Sequence, residues 1–370
     1  MDRLAALRNR TDEMIDDLAT LVSAESPSDD LAALASSADA VAEVGTRLLG
    51  QAPDRIEVDG RPHLRWRFGP EPRVLLLGHH DTVWRMGTLA RWPFTVDRGE
   101  GTATGPGTFD MKAGIVMGLH ALATLDGLDG IAMIVNADEE VGSQTSRALI
   151  QQAANGARAA FVLEPAAGGA YKTARKGTGM YTFDVEGRAA HAGLEPERGI
   201  NALVELSHLV LALEAISRPG IGTTVTPTVA AAGTTTNTVP AHAHLEVDVR
   251  VSEPGEAERV DAEIKAMATT LPGARLVVHG SPNRPPLPAS ASAALFTRAQ
   301  RLADELGLGP LRSVEVGGAS DGNLTAAVGC PTLDGMGAVG DGAHAEGEHV
   351  VLTSLAERAA LVAVLVDDLR

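Results

Sequence analysis

Three acidic side chains, Asp138, Glu139 and Glu140, stand in a row directly after the apolar run 131–135. Such a run reads as a buried strand, and carboxylates crowded at its carboxyl end repel one another unless a cation or a reaction keeps them there. Taken alone, the motif is equally an ordinary solvated turn. It is not alone, because His79-His80-Asp81, Asp110, Glu164-Pro165 and His344 also fall near the ends of apolar runs. Ligand-type residues at five such points suit a metal centre built at one end of a sheet. Cys330 is the single cysteine, which rules out any Cys-based zinc cluster and leaves histidine and carboxylate to hold a metal.

Each motif carries its own argument. Strand alternation turns His79 and Asp81 the same way, the spacing of a metal ligand and a carboxylate that fixes its tautomer. Two partly buried histidines at a strand end are the plainer alternative. Asp110 follows Gly105-Pro106-Gly107-Thr108-Phe109, a loop flexible enough to aim a carboxylate, although a helix N-cap is the commoner use of such an Asp. Glu139 and Glu140 are adjacent and cannot easily share one geometry, so one can ligate while its neighbour stays free as a general base. Glu164 ends a strand with a charge poorly tolerated inside a protein without a cation. His344 lies in the Gly-rich stretch 340–347, either a ligand loop or an exposed turn. Two competing chemistries lack their signatures, since the chain has no His-Glu-x-x-His helix and no phosphate loop, and Gly105-Pro106-Gly107 is too short and proline-blocked for a dinucleotide fingerprint.

The elements that must position these residues follow from periodicity. Helices are expected over 4–22 and 30–49, then short strands over 55–58 and 64–68 and a fully apolar one over 73–78. A helix over 111–125, a strand over 131–136, a helix over 145–153 and a strand over 160–163 continue an α/β alternation with a mixed or parallel sheet. After Glu164 the rhythm changes. An alternating strand over 178–187, a helix over 199–216, strands over 223–232 and 242–251, a helix over 256–270 and a strand over 274–279 make a split βαβ pattern. The Pro-rich stretch 281–288 reads as a return hinge. Helices over 291–306, 319–328 and 352–370 and strands over 311–316 and 331–336 then resume the first rhythm. The reading is a discontinuous catalytic domain, 1–176 and 285–370, with an inserted α+β domain, 177–284.

Composition bounds the partners. The chain has 370 residues, 44% hydrophobic and 21% charged, enough for two domains. A net charge of -17 argues against nucleic acid or an anionic membrane. The first 21 residues are charged and helical in pattern, with no apolar core before a small-residue cleavage site, and no run is long enough to span a bilayer. A cytoplasmic enzyme acting on a small molecule is expected.

The ordered set His79-x-Asp81-Thr82, Asp110-Met111-Lys112-x-Gly114, Asp138-Glu139-Glu140, Glu164-Pro165, His191-Ala192-Gly193 and His344 resembles the co-catalytic zinc metallopeptidases of the M20 family, glutamate carboxypeptidase type. The similarity extends to 199–205 in the inserted domain and 317–321 in the last third. It implies a zinc-aminopeptidase-like catalytic domain with a ferredoxin-like lid and dimerisation domain. It implies two zinc ions per chain (cobalt or manganese as alternatives) bridged by Asp110, one completed by His79 and Glu164, the other by Glu140 and His344. Glu139 would be the general base and Asp81 would orient His79. His191, in the lid, would donate to the oxyanion, reaching the partner subunit of a homodimer, and Asn237 is the other polar lid position. Arg250 and Arg284 look like anchors for a substrate carboxylate, since the arginine fork meets a carboxylate bidentately. Lys172 would serve a side-chain carboxylate. A cis peptide between Asp110 and Met111 is implied as well. The expected reaction is hydrolysis of an N-acyl or short peptidic substrate that releases a C-terminal amino acid such as glutamate. N-acyl-amino-acid deacylation and di- or tripeptide hydrolysis are the near alternatives. A non-catalytic binding relative is disfavoured, because Glu139 accompanies all five ligand positions.

Overall fold

The apolar strands of the sequence assemble into a six-stranded mixed sheet in the computed structural model, which describes residues 3–370. Met1 and Asp2, at the head of the expected catalytic domain, lie outside the described residues. The sheet runs β1 (Asp54–Val58), β2 (Arg61–Phe68), β6 (Ile131–Asn136), β3 (Val74–His79), β7 (Ala159–Val162) and β14 (Thr332–Leu333). β6, β3, β7 and β14 are mutually parallel, whereas β1 and β2 are antiparallel additions at one edge. Strand alternation divides the core. Leu76, Met133 and Phe161 face one layer, while Leu75, Leu77, Ile134 and Ala160 face the other.

Helices cover both faces. The larger cluster draws on α1 (Arg3–Arg8), α2 (Thr11–Ser23), α3 (Leu31–Leu49), α5 (Ala113–Leu122), α9 (Ala289–Glu305) and α11 (Leu352–Leu369). The smaller one uses α6 (Arg147–Ala154) and α10 (Gly322–Ala327). The single helix expected over 4–22 is two, separated at Asn9 and Arg10, where Arg10 leaves helical geometry at φ -102 and ψ 11. α3 starts where the Asp30 carboxylate accepts from Ala32 and Ala33 N–H and stops at Gly50 in the left-handed region. Every residue of α5 is buried. It lies against β7 so closely that a Cβ at Gly114 would fall 2.1 Å from the Leu163 carbonyl oxygen.

Several short elements carry no periodicity in the sequence. α4 (Thr88–Arg91) is one turn. β4 (Thr95–Asp97), β5 (Thr102–Thr104), β15 (Gly340–Asp341) and β16 (His349–Val351) make a small antiparallel sheet ordered β15-β16-β5-β4. β8 (Tyr171–Arg175) pairs with β13 (Ser313–Val316).

The chain divides into two compact units, one of residues 1–174, 288–316 and 320–370, the other of 175–287 and 317–319. The second unit runs β9 (Gly177–Glu186), α7 (Ala202–Ile216), β10 (Thr224–Ala232), β11 (His242–Val251), α8 (Glu256–Lys265) and β12 (Arg275–Arg284). Its antiparallel sheet is ordered β10-β11-β9-β12, a split βαβ arrangement with its own core around Tyr181, Phe183, Leu245, Val247 and Leu209. The stretch expected as a hinge over 281–288 is partly strand, since β12 continues through Arg284 with an irregularity between Pro282 and Arg284. Pro282 survives there because β12 is an edge strand.

Gly114→Ala is expected to destabilise the protein by about 1–3 kcal/mol, because the carbonyl it meets is main chain and cannot turn aside. Thermal unfolding measures this, and wild-type melting would show that α5 and β7 part more easily than their packing implies.

Candidate metal centre

The parallel strands converge on one end of the main sheet, and that is where the acidic residues lie. β3 ends at His79, β6 runs out into Glu139 and Glu140, and β7 leads to Glu164. Carboxyl ends of parallel strands are the usual place for sites in such sheets. Asp110 arrives from an irregular turn, Thr108–Lys112, in which Asp110 and Met111 leave helical geometry, and its peptide bond to Met111 is cis, as the family resemblance implies. His344 stands at φ 62 in the connection between β15 and β16.

These side chains form two groups with donor atoms in ligating range of one another: His79 with Asp110 and Glu164, and Asp110 with Glu140 and His344. Asp110 divides its oxygens between them. Its Oδ1 is 3.4 Å from His79 Nε2, and its Oδ2 is 3.4 Å from His344 Nε2. His79 Nε2 is also 3.5 Å from Glu164 Oε1, and His344 Nε2 is 3.2 Å from Glu140 Oε2. Two ligands about 2.0–2.2 Å from one tetrahedral ion stand roughly 3.3–3.5 Å apart, so the three gaps of 3.4–3.5 Å suit a shared cation better than direct hydrogen bonds, and the shortest, at 3.2 Å, is compatible with either. The orphaned atoms agree. His79 Nε2 and Glu140 Oε1 are buried without a hydrogen-bond partner among the described residues. A third acidic group, Glu13, Asp17 and His120, is different in kind, because Arg47 bridges Glu13 and Asp17 and supplies the positive charge itself.

Electrostatics point the same way. Burial pulls the His79 imidazole down, but Asp110, Asp81 and Glu164 outweigh it and hold it well above the usual histidine range. Asp110, then Glu140, push His344 up to about 10. Burial raises Glu140 to about 7 against the pull of His344, whereas the two histidines more than offset burial at Asp110 and hold it far below the carboxylate range. The cluster draws positive charge inward.

A shell of buried hydrogen bonds fixes the donors. His79 Nδ1 lies 3.0 Å from the Asp81 carbonyl oxygen and 3.4 Å from its carboxylate, so the main chain is the nearer partner for orienting the ring. The Asp81 carboxylate chiefly serves another purpose. It accepts the N–H groups of Glu139 at 3.1 Å and Glu140 at 3.2 Å and the Ser28 hydroxyl at 2.7 Å, and so holds the acidic turn. Asp138 is wholly buried and accepts from the Thr145 N–H and hydroxyl, which closes the far side of that turn. Glu139 belongs to neither donor group and is 8% exposed. Glu348 and Trp84, which the sequence reading did not single out, also bear on this shell. Glu348 reads as one more charge in a polar turn, yet it is fully buried and accepts from Gly107, Phe109 and Asp110 N–H and from Trp84 Nε1.

The remaining expected residues are distributed as follows. Lys172 Nζ lies 3.8 Å from Glu164 Oε2, on the rim of a cavity of about 430 Å³ lined by Phe109, Asp110, Pro165, Lys172, Asp341 and Gly342. The other four residues lie in the second unit, at two ends of its sheet. Arg250 and Arg284 both stand opposite Thr178, on either side of β9. The Arg250 fork is engaged bidentately by Asp248, Nε to Oδ1 at 2.8 Å and Nη2 to Oδ2 at 2.9 Å, so a substrate carboxylate would have to share or displace that partner. Arg284 is buried. At the opposite end, the loops after β9 and β10 pair through His191 and Thr238 and through the Ala192 N–H to the Asn237 carbonyl. His191 is exposed, and its Nδ1 accepts from the Gly193 and Leu194 N–H groups, both at 3.1 Å. With Nδ1 accepting, the proton of a neutral ring is on Nε2.

Residues 75–368 match the family model described as Peptidase family M20/M25/M40. Carboxypeptidase G2 of Pseudomonas sp. (strain RS-16) is 35% identical over 308 residues, 80% of this chain and 74% of that protein. A succinyl-diaminopimelate desuccinylase of Methylorubrum populi is 30% identical over 319 residues, 78% of this chain and 80% of its own. Among solved structures, aminopeptidase PepT from Bacillus cereus superposes with a TM-score of 0.77 at 21% identity, covering 97% of this chain and 98% of that one. The di-peptidase Dug1p from Saccharomyces cerevisiae gives 0.72 at 13% identity, with 99% and 98% covered. The chain therefore belongs to peptidase family M20/M25/M40, a family of metal-dependent hydrolases.

Proposed function

We propose that the protein is a two-metal amidohydrolase that releases a C-terminal amino acid, glutamate first among the candidates, from an N-acyl or short peptidic substrate. The observation that carries the metal reading is the division of the Asp110 oxygens between two donor groups whose separations suit ligands of a common ion. His79, Asp110 and Glu164 would hold one zinc, and Asp110, Glu140 and His344 the other. Bound there, a metal pair lowers the pKa of water and polarises a scissile carbonyl. Glu139 takes the proton of the attacking water and returns it to the leaving amine. Its main chain is held by Asp81 beside Glu140, and it belongs to neither donor group, which supports a base that does not ligate. The substrate class rests on the 35% identity to carboxypeptidase G2, together with Lys172 on the cavity rim for a side-chain carboxylate and Arg250 and Arg284 for the main-chain one.

The second unit acts as a lid and dimerisation domain in this reading. Arg250 and Arg284 stand level with Thr178, while His191 and Asn237 lie beyond Glu186, about 26 Å further along β9 at roughly 3.3 Å per residue. A separation too long for a small substrate supports a reading in which the two sets would serve different centres, His191 that of a partner subunit. The surface supports a partner. α7 exposes Leu203, Val204 and Leu211, the last at 66%, and the edge strand β10 has no charged residue and exposes Val229 at 50%. An uncharged sheet edge beside apolar side chains is a surface that a second copy covers.

Glu139→Gln is expected to keep both metals and lose about 10²–10⁴-fold in rate, read by metal analysis beside turnover of N-acyl-glutamate, N-acyl-aspartate and neutral N-acyl amino acids. Full turnover by the loaded variant would end the proposed mechanism, and no preference for acidic leaving residues would shift the reading to general deacylation. Chelator-treated protein should melt lower, and zinc should restore it by about 2.7 kcal/mol for each site filled at a hundred times its dissociation constant. Asp110→Asn is expected to abolish that gain, because it touches both donor groups. Mixing Glu139→Ala chains with His191→Ala chains should restore activity at one of the two sites of the heterodimer. Absence of recovery after subunit exchange would refute the shared site.

A further inference from the structure

We infer that Glu348 is a positioning residue for the bridging carboxylate, and that it registers the loop carrying Asp110 against the loop carrying His344. The inference rests on the metal-centre reading above and concerns what aims its shared ligand. In the loop 105–110 the Thr108 N–H turns back to the Gly105 carbonyl, while the N–H groups of Gly107, Phe109 and Asp110 need acceptors from elsewhere. Glu348 supplies them. Its Oε1 accepts from Phe109 at 2.7 Å and from Asp110 at 2.9 Å, and its Oε2 from Gly107 at 3.0 Å and from Trp84 Nε1 at 2.8 Å. The carboxylate is fully buried, a placement tolerable only because donors meet both oxygens.

The same residue belongs to the other loop. Glu348 follows His344 by four positions, and its N–H donates to Ala345, whose own N–H donates to Gly342. Its carbonyl accepts from the Thr104 hydroxyl at 2.7 Å, where β5 pairs with β16 through Thr104 and His349. Asp110 and His344 are thus tied through one residue that ligates nothing. Its main chain anchors the His344 loop to the small sheet, and its side chain dictates the path of the Asp110 main chain. Loss of the side chain frees the ligand common to both donor groups, so both metals should weaken.

Glu348→Gln tests this, because an amide offers one acceptor oxygen and turns an NH2 toward N–H donors. Cobalt titrated into the chelator-treated variant is expected to bind about 10–100-fold more weakly than to wild type at both sites, with an altered visible absorption spectrum. For a hydrolysed substrate, kcat should fall with KM little changed. Trp84→Phe removes the one donor outside the Asp110 loop and should shift cobalt affinity less than threefold. Equal damage from both variants would reduce Glu348 to a packing node and overturn the inference. If wild type binds no cobalt, the metal reading itself falls; if wild type and Glu348→Gln bind two ions equally well, only the role of Glu348 falls. Hydrogen exchange on the wild type gives a check that needs no variant. The Phe109 and Asp110 amides should stay protected after chelation, since their acceptor is Glu348, and rapid exchange there would refute the assignment.

Discussion

The aspartate between the two histidines is the constraint on which the architecture turns. Its two oxygens face in two directions, toward His79 and toward His344, and among the described residues no other belongs to both donor groups. Around it stand Glu140, Glu164 and the buried Asp81, a concentration of negative charge that a low-dielectric interior resists unless cations or protons balance it. The sheet brings His79, Glu140 and Glu164 to one end by parallel strand order. Asp110 comes instead from the turn that follows β5, and His344 from the connection between β15 and β16.

Buried carboxylates do a second kind of work here. Asp81 collects the amides of Glu139 and Glu140, Asp138 closes their turn through Thr145, and Glu348 collects the amides before and at Asp110. Each fixes irregular main chain that neither helix nor strand could shape. A loop held by charge-assisted bonds of this sort can be as well defined as the strand that precedes it.

Much of this was legible in the sequence, and the losses have physical causes. Fully apolar strands such as 131–135 announce themselves, and acidic residues directly after them mark the end that matters. The ligand candidates needed no structure to be named, although the assignment of roles came from the ordered motifs and the family they resemble. β5, β15 and β16 are two or three residues long, too short for any periodicity, so the sheet beneath Asp110 and His344 could not be read. Glu348 was missed with it, because burial of a lone glutamate in a polar turn depends wholly on partners some 240 positions away. Arg250 reads as an anchor for a substrate carboxylate, and its existing partner, Asp248 two residues earlier on the same face of β11, is evident only in the fold. Pro282 argued for a hinge, and edge position let the strand continue through it.

The order of the donors along the chain has a consequence for biosynthesis. His79, Asp110 and Glu164 all precede the inserted unit, whereas His344 comes after it, close to the final helix. A nascent polypeptide leaving the ribosome therefore carries every side chain of one donor group while the other still lacks its imidazole. Through translation of the whole insertion, one oxygen of Asp110 awaits a partner that has not been made. The two halves of the centre have separate birthdays, with the whole inserted unit synthesised in the interval between them.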